Sequence, residues 1–203
     1  MNEIFTYMFP GLMMMWMIFI GQNIMADVYT ESERKTLPRM LGTPVTLNQF
    51  LLSKIIRCVL VCLIAEGLLI VFTAVVFRVR WGNPFWLILV IGAANLSITG
   101  LLAAVYGRAK TKTLADAITV VVALLTSIVG GGMIPYDEMP TFMKTIGAWS
   151  FVHWSVQGIQ SVMNARPLGE TAVPVMKLLL FGAVSISLGI YWMKHRFQAG
   201  RVS

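Results

Sequence analysis

Five long apolar runs alternate with short polar connections along the chain, at residues 4–25, 51–77, 84–106, 114–134 and 173–193. A helix rises about 1.5 Å per residue, so crossing a hydrocarbon core of about 30 Å takes about 20 predominantly apolar residues. The pattern therefore predicts five membrane-spanning helices. Residues 135–171, between the fourth and last runs, are apolar but broken by Pro140, Gly147, Gly158 and Pro167, and they carry Tyr136, Phe142, Trp149, Phe151 and Trp154. Such a stretch is too interrupted for a plain span and too apolar for a solvated loop. It predicts a pair of short re-entrant or interfacial helices. The expected fold is an all-α membrane protein, with five transmembrane helices and an extracytoplasmic re-entrant or interfacial segment, forming one domain over residues 1–203.

Local signals mark some helix ends. Thr46-x-x-Gln49, just after Pro44, reads as a capping box opening the second span. Thr113-x-x-Asp116 reads as another, opening the fourth, with Asp116 as a first-turn acid favoured by the helix dipole. The first run is not a signal peptide, since no Lys or Arg precedes it and it is too long for that role.

Composition strengthens this picture. Of the 203 residues 57% are hydrophobic and only 12% charged, against about 25% charged in a soluble domain. That excludes a soluble enzyme, a secreted disulfide scaffold and a disordered tail. Cys58 and Cys62 share a helix face within an apolar run, where they serve as small packing residues. The net charge of +7 is explained by membrane topology and calls for no nucleic-acid partner. Eleven of the 16 Lys and Arg fall in the first loop, the third loop and the tail; five fall in the remaining connections and the start of the last span. The positive-inside rule puts the richer group in the cytoplasm, with the N-terminus outside and the C-terminus inside. An outside N-terminus without leading positive charge is natural if an earlier span has been cut off or lies on another chain.

Catalytic motifs are missing. Residues 107–113 lack the second Gly before a Lys-Ser/Thr pair that a phosphate-binding loop needs. His153 and His195 are far apart without ligand neighbours, and no nucleophile elbow occurs. No metal or cofactor is expected on this chain, and any ATP-driven work needs an engine on another chain.

Glu66 is the one acid deep inside an apolar run. A central acid costs about 2.5–3.5 kcal/mol to insert, taking the Asp value as a guide. The 17 Leu, Ile, Val and Phe of residues 51–77 return at most roughly 5–10 kcal/mol at about 0.3–0.6 each. The helix therefore inserts, but Glu66 must face protein or water, protonated or paired. It either lines a pathway or hydrogen-bonds to Asn95, Ser97 or Thr99 of the third span. Small residues at four-residue spacing, Ala93 and Ser97, Ala103 and Gly107, Ser185 and Gly189, suit close helix packing within the chain.

The first cytoplasmic loop, residues 27–46, holds a compact pattern. Thr36 can cap a short helix opening at Pro38, and Leu37, Met40 and Leu41 make an apolar edge. Gly42 ends it and Pro44 prevents its continuation. The result is either a membrane-surface helix or a docking knob for a cytoplasmic partner.

This loop resembles the coupling segment of the ABC-2 type permeases, the membrane subunits of ATP-binding-cassette exporters. Glu31, Glu33, Thr36, Leu37, Leu41, Thr43, Pro44, Val45 and Lys54 fit the family pattern; Lys35 replaces the usual Gly, and Pro38 is atypical. The later segments agree in order: Gly130, Gly131, Gly132 and Pro135, then Met139 and Pro140, then His153, Trp154 and Gly158 within residues 152–158. Phe151 stands where a Pro is common. The resemblance implies an ATP-driven exporter subunit in the plasma membrane of a bacterium. It also implies a separate ABC ATPase that uses ATP and Mg²⁺, a second permease subunit as homo- or heterodimer partner, and membrane lipid around both. Coupling to the ATPase would fall to Glu31, Glu33, Thr36, Leu37, Met40, Leu41, Thr43 and Pro44. Such permeases usually have six spans, so this chain resembles a C-terminal portion or one part of a split permease. The alternative is an ATP-independent transporter or channel subunit, whose inverted repeats and broken midplane helices are not evident here. An intramembrane enzyme would need a catalytic partner for Glu66 at the same depth, and no His or Asp supplies one.

Overall fold

A computed structural model describes residues 2–33, 47–132, 134 and 139–199. Among these residues there are seven α-helices and no strand: α1 Asn2–Glu33, α2 Leu47–Val76, α3 Pro84–Arg108, α4 Lys112–Val129, α5 Thr141–Gly147, α6 Phe151–Met163 and α7 Leu168–Ala199. Five contain stretches long and apolar enough to cross a membrane: Met8–Glu31, Gln49–Val76, Pro84–Arg108, Lys112–Val129 and Gly169–His195. The two short helices, α5 and α6, fall where the interrupted composition predicts them. Several boundaries move, each for a local reason.

The first span was expected to end at residue 25, with a loop from 27. Instead α1 continues to Glu33. No Gly or Pro interrupts residues 26–33, and Asp27, Tyr29 and Glu31 of this last part find partners on α2 and α3. The fourth span was expected to reach residue 134, but α4 stops at Val129. Gly130 N–H bonds to Thr126 O at 2.8 Å, Gly131 takes φ +89°, and Gly132 N–H bonds to Ser127 O at 2.8 Å. A left-handed glycine after a helix closes it with backbone bonds to its last carbonyls. The same turn must be bare: a Cβ on Gly11 of α1 would lie 2.0 Å from Gly132 Cα, and one on Gly130 2.8 Å from Val152 Cβ of α6. The cap of α4 is Thr111, whose side chain accepts from Leu114 N at 3.2 Å, and not the expected Thr113. Asp116 consequently sits beyond the first turn. The last helix begins at Leu168, so residues 168–171 leave the expected re-entrant segment.

The centre of the bundle is α3, of whose span 61% is buried, against 17% for α2. It runs parallel to α7 along the most extensive helix–helix seam among the described residues. A Cβ on Gly100 would meet Gly182 O at 2.7 Å, one on Gly107 would meet Gly189 O at 2.9 Å, and one on Gly189 would meet Ala103 C at 2.6 Å. Ser97 adds a hydrogen bond from its hydroxyl to Leu178 O at 2.7 Å. The small-residue spacing thus works within the chain, where backbones can approach and gain dispersion contacts that lipid would not supply. At the other extreme, α2 turns Leu52, Ile56, Leu60, Ile64, Leu68 and Val75 outward. Outward apolar residues are what lipid or a second subunit requires.

Two devices set the α2–α3 connection. The buried Trp81 donates from Nε1 to Thr73 Oγ1 at 3.1 Å and packs edge-on against Phe9. Asn83 caps α3 by accepting from Phe85 N at 3.0 Å, and Pro84 takes the first helical position.

Candidate functional site

The inward stripe of α2 follows helical spacing through Lys54, Cys58, Cys62, Glu66 and Thr73, all buried. The buried polar groups of this otherwise lipid-like helix are therefore gathered on one line. Two clusters form along it.

The deeper cluster joins α2 to α3. Asn95 Nδ2 donates to Glu66 Oε2, and both residues are fully buried. The expected alternatives go elsewhere: Ser97 bonds to α7, and Thr99 donates to Cys58 Sγ at 3.5 Å. Cys58 and Cys62 are free thiols packed in the core. Glu66 Oε1 and Asn95 Oδ1 are buried with no hydrogen-bond partner among the described residues. The arrangement links α2 to α3 through a buried interhelical hydrogen bond.

The second cluster lies where α1 ends and α2 begins. Lys54 Nζ is 2.6 Å from Glu31 Oε1, with the Lys54 side chain 10% exposed and that of Glu31 30%. The pair ties together the helices that flank residues 34–46. Tyr29, buried on α1, places its hydroxyl 2.6 Å from Ala109 O and 2.9 Å from Tyr106 O. One hydroxyl proton is shared between those carbonyls, which lie at the end of α3, where intrahelical donors run out. Tyr106 in turn donates to Asp116 of α4, and Lys112 Nζ lies 3.3 Å from the same carboxylate. Arg57 and Asp27 pair at 3.3 Å in the open, where such a pair contributes little. Together these contacts link the end of α1 to α2, α3 and α4.

Sequence reasoning selected Glu31 and Lys54 but missed Tyr29 and Tyr106. The available signal was that both tyrosines sit at the positively charged ends of spans, where aromatic residues with a polar tip concentrate. Thr36, Leu37, Met40, Leu41, Thr43, Pro44 and Pro135, with Thr46 of the expected cap, lie outside the described residues. Glu33 is the last residue of α1.

The other predicted segment is split between turns and α6. Gly131 and Gly132 form the turn after α4, and exposed Pro140 precedes α5. Gly158 is a packing residue: a Cβ there would lie 2.9 Å from Val90 Cγ1. Trp154 Nε1 donates to Ala148 O at 2.8 Å, and Lys177 Nζ lies 5.7 Å from the centre of its ring. Half-buried His153 is held below its ordinary pKa by burial and, after that, by the Lys177 charge. None of these residues joins the Glu66 pair.

Comparison with known proteins adds what geometry leaves open. A family model described as ABC-2 family transporter protein matches residues 1–191. The chain belongs to this ABC-2 family. A similar protein is the linearmycin resistance permease protein of Bacillus subtilis (strain 168), 24% identical over 125 residues, or 61% of this chain and 32% of the relative. The ABC-2 chain thus spans about a third of the length of the curated relative it matches. The ordered motifs around residues 31–54 and 130–158 fall inside the matched region, and the five apolar helices agree with a membrane transport protein.

Proposed function

We propose that this ABC-2 permease is the membrane subunit of an ATP-driven exporter in a bacterial cell membrane, powered by a separate ABC ATPase. The observation that carries this reading is the family match over residues 1–191. The cluster at the ends of α1 and α2 supports it. Residues 34–46 would dock on the ATPase, and the Glu31–Lys54 pair with the Tyr29–Tyr106–Asp116 contacts would carry its movement into four helices at once. Coupling needs such a contiguous rigid connection between a moving surface and the bundle. The positive-inside count supports a cytoplasmic position for that cluster and for the C-terminus. A second permease chain, homologous or identical, would complete the translocation path, and the outward apolar face of α2 supports a lipid-embedded assembly. The relative's role in linearmycin resistance supports a foreign or self-made toxic compound as cargo. The nearly uncharged interior supports an amphiphilic one.

The test is affinity purification of the full chain from its native membrane in mild detergent. An ATP-binding-cassette subunit is expected in stoichiometric amount, with ATP hydrolysis by the purified complex. Recovery of the chain without any ATP-binding partner, together with substrate movement that persists in ATP-depleted vesicles, would refute the reading.

A further inference from the structure

Two adjoining clefts open on the bundle surface at the ends of α3 and α7. The first, about 520 Å³, is lined by Arg108, Lys110, Tyr191, Trp192 and His195 together with Gly107 and Ala109. The second, about 430 Å³, is lined by Ala104, Val105, Leu114, Ile118 and Trp192, and shares Arg108, Ala109 and Lys110 with the first. One is basic and aromatic, the other almost wholly apolar, and Trp192 forms a wall of both. From Lys112 at the helix start, Ile118 is six residues along α4, so the apolar trough climbs roughly 9 Å from the helix end into the membrane.

The charge is one-sided. Among the described residues no acid lines either cleft. Asp116 is two residues from both Leu114 and Ile118, which puts it on the opposite face of α4. There it is held by Tyr106 and Lys112. Arg108 makes no ion pair among the described residues. Arginine and lysine at a bilayer surface attract anionic headgroups. Tryptophan and tyrosine occupy the headgroup level.

We infer that this paired cleft binds an anionic phospholipid, with the phosphate at Arg108 and Lys110, beside His195, and an acyl chain in the trough between Val105 and Ile118. The side of the membrane on which it lies follows from the orientation proposed above; the site itself depends only on the described helices. A bare phosphate shares the headgroup chemistry but has nothing to place in the trough.

The test uses the purified full chain, with any subunits that accompany it, delipidated and titrated with dioleoylphosphatidylglycerol or dioleoylphosphatidylcholine while native mass spectrometry counts bound lipid. The wild type is expected to bind the anionic lipid in preference to the neutral one. Arg108→Gln with Lys110→Gln should weaken binding of the anionic lipid roughly thirtyfold, at about 1 kcal/mol per basic residue. Arg108→Lys with Lys110→Arg should keep the preference. Ile118→Trp should block the trough and lower binding of the anionic lipid; Leu114→Phe repeats that test should the first variant not fold. Equal binding of both lipids, or full binding by the double glutamine variant, would overturn the inference. So would displacement by millimolar inorganic phosphate with trough-filling variants unaffected, which would make this an anion site without a lipid. Because no transport or ATP enters the measurement, its failure is separate from failure of the exporter reading.

Discussion

The Glu66–Asn95 pair makes a quantitative demand on the stability of the bundle. Both side chains are fully buried, and among the described residues the hydrogen bond between them is the only one that either carboxyl or amide makes across the helix interface. Replacing Glu66 with Leu leaves the Asn95 amide without an acceptor; replacing Asn95 with Leu leaves the carboxyl without a donor. An orphaned buried polar group costs about 1–3 kcal/mol, and an interhelical hydrogen bond in a membrane protein averages about 0.6 kcal/mol with a maximum near 1.7. Each single variant should therefore lose about 1–2 kcal/mol. The double variant, with two apolar side chains facing each other, should lose less than the sum, leaving a coupling energy of about 0.6–1.7 kcal/mol. Glu66→Gln keeps an acceptor for Asn95 Nδ2 and should be milder than Glu66→Leu. The assay is reversible unfolding in mixed detergent micelles, followed by circular dichroism for all four members of the cycle. Losses that add to within about 0.3 kcal/mol would show that the two residues do not act as a pair and would refute the reasoning. In transport, loss of activity in both Glu66→Gln and Glu66→Leu at normal expression would mean that the carboxylate itself takes part in the cycle.

Further tests address packing, the helix-end cluster, topology, docking and pH. Gly189→Leu should destabilise strongly, by about 1–3 kcal/mol or more, because Ala103 leaves no room for a Cβ, whereas Gly67→Ala meets nothing within 4 Å and should be neutral or slightly stabilising; thermal unfolding in detergent compares them. Glu31→Gln leaves the buried Lys54 without its anion and should lower the unfolding temperature, with partial recovery in Glu31→Gln/Lys54→Met; a silent single variant would remove the ion pair from the account. Single cysteines at positions 83 and 170 should react with an impermeant reagent on intact cells, and one at 43 should not; the reverse pattern would invert the proposed orientation. Leu41→Asp should leave expression normal and reduce retention of the ATPase, and equal recovery of the ATPase with unchanged transport would deny the loop a docking role. The depressed pKa of His153 means that the unfolded chain takes up a proton that the folded chain refuses. Stability should therefore fall as pH drops through about 6.5, the unfolded value, and His153→Gln should flatten that part of the unfolding-midpoint profile; an unchanged profile would exclude His153 as its source.

The sequence by itself determined the architecture to the level of elements. Hydrophobic runs of span length admit only helices in a bilayer, because each backbone group must find its partner within its own segment. That constraint is local, so it is written in the order of residues. The start of the third run at residue 84 coincides with the start of α3, whereas the capping box expected at Thr113 gave way to Thr111, two residues earlier. The family, too, was readable from motifs in sequence order. Tertiary structure decided what depends on distant partners. That α1 runs on through Asp27 and Glu31 follows from ties to Lys54, Arg57, Tyr106 and Ala109, between 23 and 80 residues away. That α4 stops at Val129 follows from a glycine turn which α1 and α6 approach too closely to admit a side chain. The sequence offered Glu66 three partners at two-residue spacing on the third span. Only the parallel seating of α3 against α7, set by facing glycines, turned Asn95 toward the acid and left Ser97 to α7. Helical periodicity shows which residues share a face. Which neighbour that face meets is settled by the packing of backbones that lie far apart along the chain.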